Sequence, residues 1–338
     1  MSRIPFRHTH VSAVQLRGPG AAWADPSPPT PSPRSARISA VLTQTVRRTA
    51  DRLGTSAPEA WFARRLFDTI GSGAKAHGTT STTEVLGGVL THRVTTPAAT
   101  SSRSIVLYVH GGGFVFGSYR SHGALASWLS HHSRMPVLFP EYRRAPEHHH
   151  PAARDDVITV YRRILELGIP AENIAIAGDS AGCYLILETL AELARTQTPT
   201  PGAAALLSPW LDLSCDSMLA ADSVERDPMA SPHYGRRAAT AYLGESALER
   251  PQAHTRDLSA WPPTLMQVGG TECMLPAAQQ FAQQLSSSGV STDFQVWPGQ
   301  VHVFHAMSGF LPEGRQAIKH VGTFLSSHVD SGGATAAS

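Results

Sequence analysis

The sequence predicts an α/β fold in which a mostly parallel central sheet carries helices on both faces. From residue 104 onward, short apolar runs alternate with stretches of helical spacing, the pattern of repeated strand–helix units. Runs such as Ser104-Ile105-Val106-Leu107-Tyr108-Val109 are continuously apolar, as strands buried on both faces must be. Finally, 338 residues at 41% apolar and 16% charged describe an ordinary globule with enough chain for one large core.

Taken in order, Asp25-Pro26-Ser27-Pro28-Pro29-Thr30-Pro31-Ser32-Pro33 forms neither helix nor ladder, so residues 1–34 are expected to be a flexible extension. Arg3, Arg7 and Arg17, with no acid before Asp25, leave a targeting role open. Between Ser35 and Ile70, Ile38, Val41, Leu42, Val46, Leu53, Trp61, Phe62, Leu66 and Phe67 recur at helical spacing, broken near Gly54 to Pro58. Two amphipathic helices ahead of the sheet suit a lid. Thr83 to Thr96 alternates around Gly87-Gly88 as a hairpin does.

Further strands are predicted at Pro136–Phe139, Asn173–Ala177, Ala203–Leu207, Thr264–Val268 and Thr292–Trp297. Helices are predicted near Ser121–Ser133, Ala152–Leu167, Ala181–Arg195, Pro276–Ser287 and Gln316–Ser327. Leu211 to Glu249 interrupts the alternation and reads as the second part of a lid. The division is thus an extension (1–34), one α/β domain (35–330) with its lid from about 35–75 and 211–249, and a small polar tail (331–338).

Composition excludes several partner classes. A net charge of +2 gives no basic field for nucleic acid or acidic membranes, so no nucleic-acid partner is expected. No window reaches the eighteen apolar residues of a membrane span, and the N-terminus lacks a secretory apolar core. Cys183, Cys215 and Cys273 are too few and too scattered for a disulfide framework, which fits a cytoplasmic location.

Chemistry concentrates at Gly178-Asp179-Ser180-Ala181-Gly182, where an apolar strand meets a helical pattern. A G-x-S-x-G turn of this kind exposes the serine oxygen at a sharp bend, so Ser180 is the candidate nucleophile. Upstream, the strand ending at Val109 enters His110-Gly111-Gly112-Gly113, whose glycines free backbone amides to converge on an oxyanion. His110 is expected to hold that loop rather than to move protons. A phosphate loop is a poorer reading, because neither G-x-G-x-x-G nor the Lys-Ser/Thr ending occurs.

With Glu141-Tyr142-Arg143-Arg144-Ala145-Pro146-Glu147-His148 between them, these motifs resemble the hormone-sensitive-lipase-like branch of the α/β-hydrolase fold, the bacterial family IV esterases. Similar too are Pro151-Ala152-Ala153-Arg154-Asp155-Asp156, Ser208-Pro209-Trp210-Leu211-Asp212-Leu213, Glu225-Arg226-Asp227-Pro228 and the stretch from Asp257 to Gly269. The resemblance covers roughly residues 80–327 and implies a helical lid over the site. It also implies an acid in the loop after one late strand and a histidine in the loop after the next. Glu272 and His302 stand at those places, with His305 in reserve as base.

The resemblance therefore implies a serine carboxylesterase of short to medium acyl esters with the triad Ser180, Glu272 and His302. Its oxyanion hole is formed by the amides of Gly112, Gly113 and Ala181, with His110, Gly111 and Asp179 supporting the loop. No metal or other cofactor is expected, the partner is a small-molecule ester, and the reading leaves room for a homodimer. Departures are Cys183 and Tyr184, where the family has Gly and Asn, and Pro276 and Ala277 in place of two acids.

Blander readings compete at several places. His148-His149-His150 are adjacent on an irregular stretch and so poorly placed to share one ion. Asp155 and Asp156 open a helix and complement its dipole. Tyr142, Arg143 and Glu147 brace the loop below the site. Trp210, Met218, Met229 and Tyr242 line an acyl pocket or simply pack. Cys183 is read as an inert buried thiol. Two rival functions remain: a deacetylase or acyltransferase of a specialised metabolite, and a non-catalytic small-molecule receptor on the same fold.

Overall fold

The computed structural model describes residues 30–71, 73–100, 102–244, 258 and 260–329. Most of the expected extension (1–29), the end of the expected second lid segment (245–249) and the tail (331–338) lie outside the described residues.

The sheet begins with the hairpin β1 (Thr80–Leu86) and β2 (Val89–Thr95), turned by Gly87 and Gly88, both at positive φ. It continues with β3 (Ile105–Val109), β4 (Val137–Pro140), β5 (Ile174–Asp179), β6 (Ala203–Leu207), β7 (Thr264–Gly269) and β8 (Thr292–Trp297). The strand order is β1-β2-β4-β3-β5-β6-β7-β8; the pairings β1–β2 and β2–β4 are antiparallel and the rest parallel. β3, β5, β6 and β7 are buried along their whole length, the physical cause of their continuous apolar sequences.

Alternate side chains of these strands enter two cores. Ile105, Leu107, Val109, Ile174 and Ile176 pack under α5 (Ala152–Glu166), α6 (Ala181–Arg195) and α9 (Leu275–Ser287). Val106, Tyr108, Ala175 and Ala177 face α4 (Tyr119–Ser133) and α10 (Pro312–Val329) on the other side. No helix among the described residues is long and apolar enough to cross a membrane.

The helices ahead of the sheet depart from expectation. Three form instead of two: α1 (Pro33–Gln44), α2 (Val46–Arg52) and α3 (Ala57–Ile70). The expected break near Gly54 separates α2 from α3, whose start is fixed by a Ser56/Glu59 capping box; a second break falls at Thr45. The boundary at residue 34 also moves, because Ser32 caps α1 and its N–H donates to Glu313 (2.6 Å), while Pro33 occupies the first helical position.

Between β6 and β7 lie α7 (Asp216–Val224) and α8 (Pro232–Leu243), and α8 packs against α2. Arg237 of α8 donates to the carbonyls of Ala50, Asp51 and Leu53 at the end of α2, oxygens that a helix terminus leaves unpaired. Arg47 of α2 is buried in the reverse direction. It forks onto both oxygens of Asp222 (2.7 Å each) and donates to the carbonyls of Asp227 and Ala230.

Removing one partner of such a buried pair strands the other charge, at a cost of about 3–5 kcal/mol. Arg47→Met is therefore expected to lower the melting temperature by several degrees and to admit limited proteolysis between α1 and α3. An unchanged melting curve and digestion pattern would mean that α2 is not held by this pair.

Candidate active site

The elbow forms where β5 must turn into α6 directly beside β3. Ser180 sits at φ 50°, ψ −121°, a region that non-glycine residues avoid, and its N–H donates to Leu207 O (3.0 Å) at the end of β6. Gly182 is required by contact: a Cβ there would stand 2.0 Å from the Val109 carbonyl oxygen. Adjacent parallel strands thus bring Ser180 and the loop after β3 side by side.

That loop is pinned by Asp179. Its Oδ1 accepts from the Tyr108 hydroxyl (2.6 Å) and from the Gly111 amide (3.0 Å), and its Oδ2 faces His122 Nε2 at 3.6 Å. Burial opposes ionisation of Asp179, but His122 and the Tyr108 hydrogen bond outweigh it and hold the carboxyl down at about 2. The same contact raises His122 against its own burial.

His110 is buried with Nδ1 2.7 Å from Gly111 O, and its ring stacks on Tyr142 and Phe139. Burial keeps it well below the ordinary histidine value, hence neutral. Tyr142 donates to His110 O (2.8 Å). Gly112 and Gly113 take positive φ values of 103° and 61°, and their amides donate to no acceptor among the described residues. Ala181 is the first residue of α6, where an amide has no intrahelical acceptor.

Glu272 and His302 come from the loops after β7 and β8. His302 Nε2 lies 2.9 Å from Ser180 Oγ, and its Nδ1 lies 2.7 Å from Glu272 Oε2. Because the carboxylate only accepts, Nδ1 carries the proton and Nε2 presents its lone pair to the serine. Burial disfavours the imidazolium of His302, but the Glu272 hydrogen bond and charge, with Asp227 and Asp179, raise its pKa overall. The reserve base is elsewhere engaged: His305 Nε2 lies 3.0 Å from Gln267 Oε1, and burial holds it down at about 3.

Two supports escape the sequence reading. Buried Ser208, at the end of β6, donates to Glu272 Oε1 (2.6 Å) and accepts from the Val303 amide (3.0 Å), joining the acid loop to the histidine loop. Asp227, also buried, accepts from the amides of Met229, Ala230 and Cys273, clamping the segment before α8 to the residue beside Glu272. Both stood in motifs already noted, Ser208-Pro209 and Asp227-Pro228, but nothing local to those motifs says which distant amides they meet.

The contacts sharpen other expectations. Asp156 does more than face a dipole, since both its oxygens bind Arg143 and Oδ2 also takes the Arg143 amide (2.8 Å). Glu147 is clamped by Arg64 of α3, so it ties that helix to the stretch after β4. Trp210, Met218 and Tyr242 are buried in the main core, the packing alternative, and Met229 packs beside a separate cluster around Trp297 and Phe304. Cys183 donates to Gly178 O (3.1 Å), and burial pushes its thiol well above the ordinary value; Tyr184 stands edge-on to Phe114. His149 and His150 turn to separate partners, Ala241 O and Glu188.

Comparison with known proteins places the fold in a family. A family model described as alpha/beta hydrolase fold matches residues 106–306. The chain is 38% identical over 231 residues to an acetyl-hydrolase of Streptomyces hygroscopicus, covering 68% of this chain and 77% of that protein. It is 34% identical over 260 residues to the carboxylesterase/phospholipase LipF of Mycobacterium tuberculosis, covering 73% and 69%. A solved esterase from the bacterial hormone-sensitive lipase family superposes with a TM-score of 0.80 at 32% identity, covering 89% of this chain and all of that one. The chain belongs to the α/β-hydrolase fold family, and within it to the bacterial hormone-sensitive-lipase-like esterases.

Proposed function

We propose that the chain is a carboxylesterase that cleaves small carboxylic esters through an acyl-enzyme on Ser180. The observation that carries this reading is the hydrogen-bonded series Ser180 Oγ, His302, Glu272, at 2.9 and 2.7 Å. His302 takes the serine proton as Oγ attacks the ester carbonyl, and Glu272 stabilises the imidazolium that forms. The oxyanion is met by the amides of Gly112, Gly113 and Ala181. The imidazolium then protonates the leaving alkoxide, and water activated by the same imidazole releases the acid.

Substrate size follows from the surroundings and the relatives. The acetyl-hydrolase relative favours the short end of the acyl range, and Ala238 and Tyr234 of α8 stand against Gly113 of the glycine loop. The three cysteines are all buried and unpaired, which suits work in the reducing cytoplasm.

Ser180→Ala is expected to lower kcat for p-nitrophenyl acetate on the order of 10⁵-fold without changing the melting temperature. Wild-type turnover by the variant would overturn the proposal. In a chain-length series, kcat/KM is expected to be highest for acetate to butyrate and to fall for longer acyl groups.

Because the base must be neutral and its pKa is raised, the acidic limb of kcat/KM is expected above the ordinary histidine value of 6.5. Glu272→Gln removes the charge that raises it, so the limb should move to lower pH while kcat drops on the order of 10³-fold. A limb that stays in place in that variant would show that Glu272 does not set the protonation of His302.

A further inference from the structure

The hydroxyl of Tyr234 on α8 is buried and has no hydrogen-bond partner among the described residues. Groups of this kind are uncommon because burial removes water without supplying a replacement. Packing accounts for the ring but not for the oxygen. The ring lies against Phe116, whose own ring stacks on Phe67 of α3 at 3.9 Å, and Arg237 stands 6.0 Å over it. A phenylalanine would make each of those contacts.

The oxygen has a definite neighbour. Tyr234 and Ala238 cover the face of Gly113 on which a side chain would stand: a Cβ there would lie 3.4 Å from Tyr234 Cε1 and 3.9 Å from its Oη. The hydroxyl edge is therefore turned toward the glycine loop that follows β3. Ser231 fixes the start of α8 by accepting the Tyr234 amide (3.2 Å), and Arg237 locks the helix to α2, so the phenol is held in place before any ligand arrives. Burial keeps it in the protonated, donating form, against the opposing influence of Arg237 and Arg64.

We propose that Tyr234 is a substrate-contacting residue whose hydroxyl donates a hydrogen bond to an acceptor oxygen of the ester bound at Gly113. This rests on the reading of Ser180 as nucleophile and extends it, since it makes the insertion between β6 and β7 part of substrate recognition rather than a cover alone. The acceptor is an oxygen of the reacting ester group or an ether or hydroxyl oxygen carried on the acyl chain, and the two are separable by experiment.

Tyr234→Phe deletes only the oxygen and keeps the ring. In the free enzyme the variant is expected to melt no lower than wild type, because it relieves an unpaired buried group. Its kcat/KM should nevertheless fall about tenfold or more. Assays with p-nitrophenyl acetate and p-nitrophenyl methoxyacetate locate the acceptor: loss with both esters places it on the reacting group, and loss with methoxyacetate alone places it on the acyl substituent. Unchanged kinetics with both esters would overturn the proposal, as would a loss of activity accompanied by a lowered melting temperature, which would mark the hydroxyl as structural. Labelling of Ser180 by a fluorophosphonate in the same preparations separates this from the parent reading. If wild type neither labels nor turns over esters, the nucleophile assignment fails; if it does both and Tyr234→Phe behaves identically, only the tyrosine proposal fails.

Discussion

Everything at the site depends on how closely β5 and α6 approach β3. With a Cβ on Gly182 only 2.0 Å from the Val109 carbonyl oxygen, no larger residue fits without moving a central strand. That contact forces the tight turn, the turn holds Ser180 at φ 50°, and the same proximity lets Asp179 reach the Gly111 amide. The elbow and the glycine loop are thus a single unit. A shift of either would separate the serine oxygen from the amides of Gly112 and Gly113, which have no acceptor among the described residues.

The remaining side chains are brought in by loops, and buried polar groups restrain those loops. Ser208 links the acid loop to the histidine loop, and Asp227 links the acid loop to the segment before α8. That segment is bound in turn to α2 by Arg47, which donates to the carbonyls of Asp227 and Ala230 and forks onto Asp222 of α7. Even α1 takes part, since Gln300, two residues before His302, donates to Ser35. The polar connections are short and buried, which is where a hydrogen bond restrains geometry most. They make the helices ahead of the sheet part of the support for His302 and Glu272, although none of those helices supplies a member of the hydrogen-bonded series.

Much of this was legible in the sequence, for a physical reason. Strands buried on both faces read as continuous apolar runs, and an elbow that tolerates only small neighbours leaves Gly178-Asp179-Ser180-Ala181-Gly182 as its trace. Glu272 and His302 are legible only through the family resemblance, which places an acid after β7 and a histidine after β8, because the topology rather than the local composition brings them to Ser180. What the sequence leaves open shares a cause. Asp156, Ser208 and Asp227 act through partners far away in sequence, and periodicity carries no information about such pairings. For Trp210 and Tyr242 both packing and a pocket stay open in the sequence, because aromatic side chains serve either equally well, and the contacts around them place both in the main core. Tyr184, a departure from the family pattern, fills core space against Phe114 and leaves the elbow's geometry intact.

The central claim is that one serine carries the acyl group. Intact-protein and peptide mass spectrometry after treatment with a fluorophosphonate tests it directly, since the phosphonyl adduct is stable where an acyl ester would hydrolyse. One adduct per chain is expected, on Ser180, formed in step with the loss of esterase activity. A modified Ser180 in a fully active protein, or an inactivating adduct on any other residue, would contradict it.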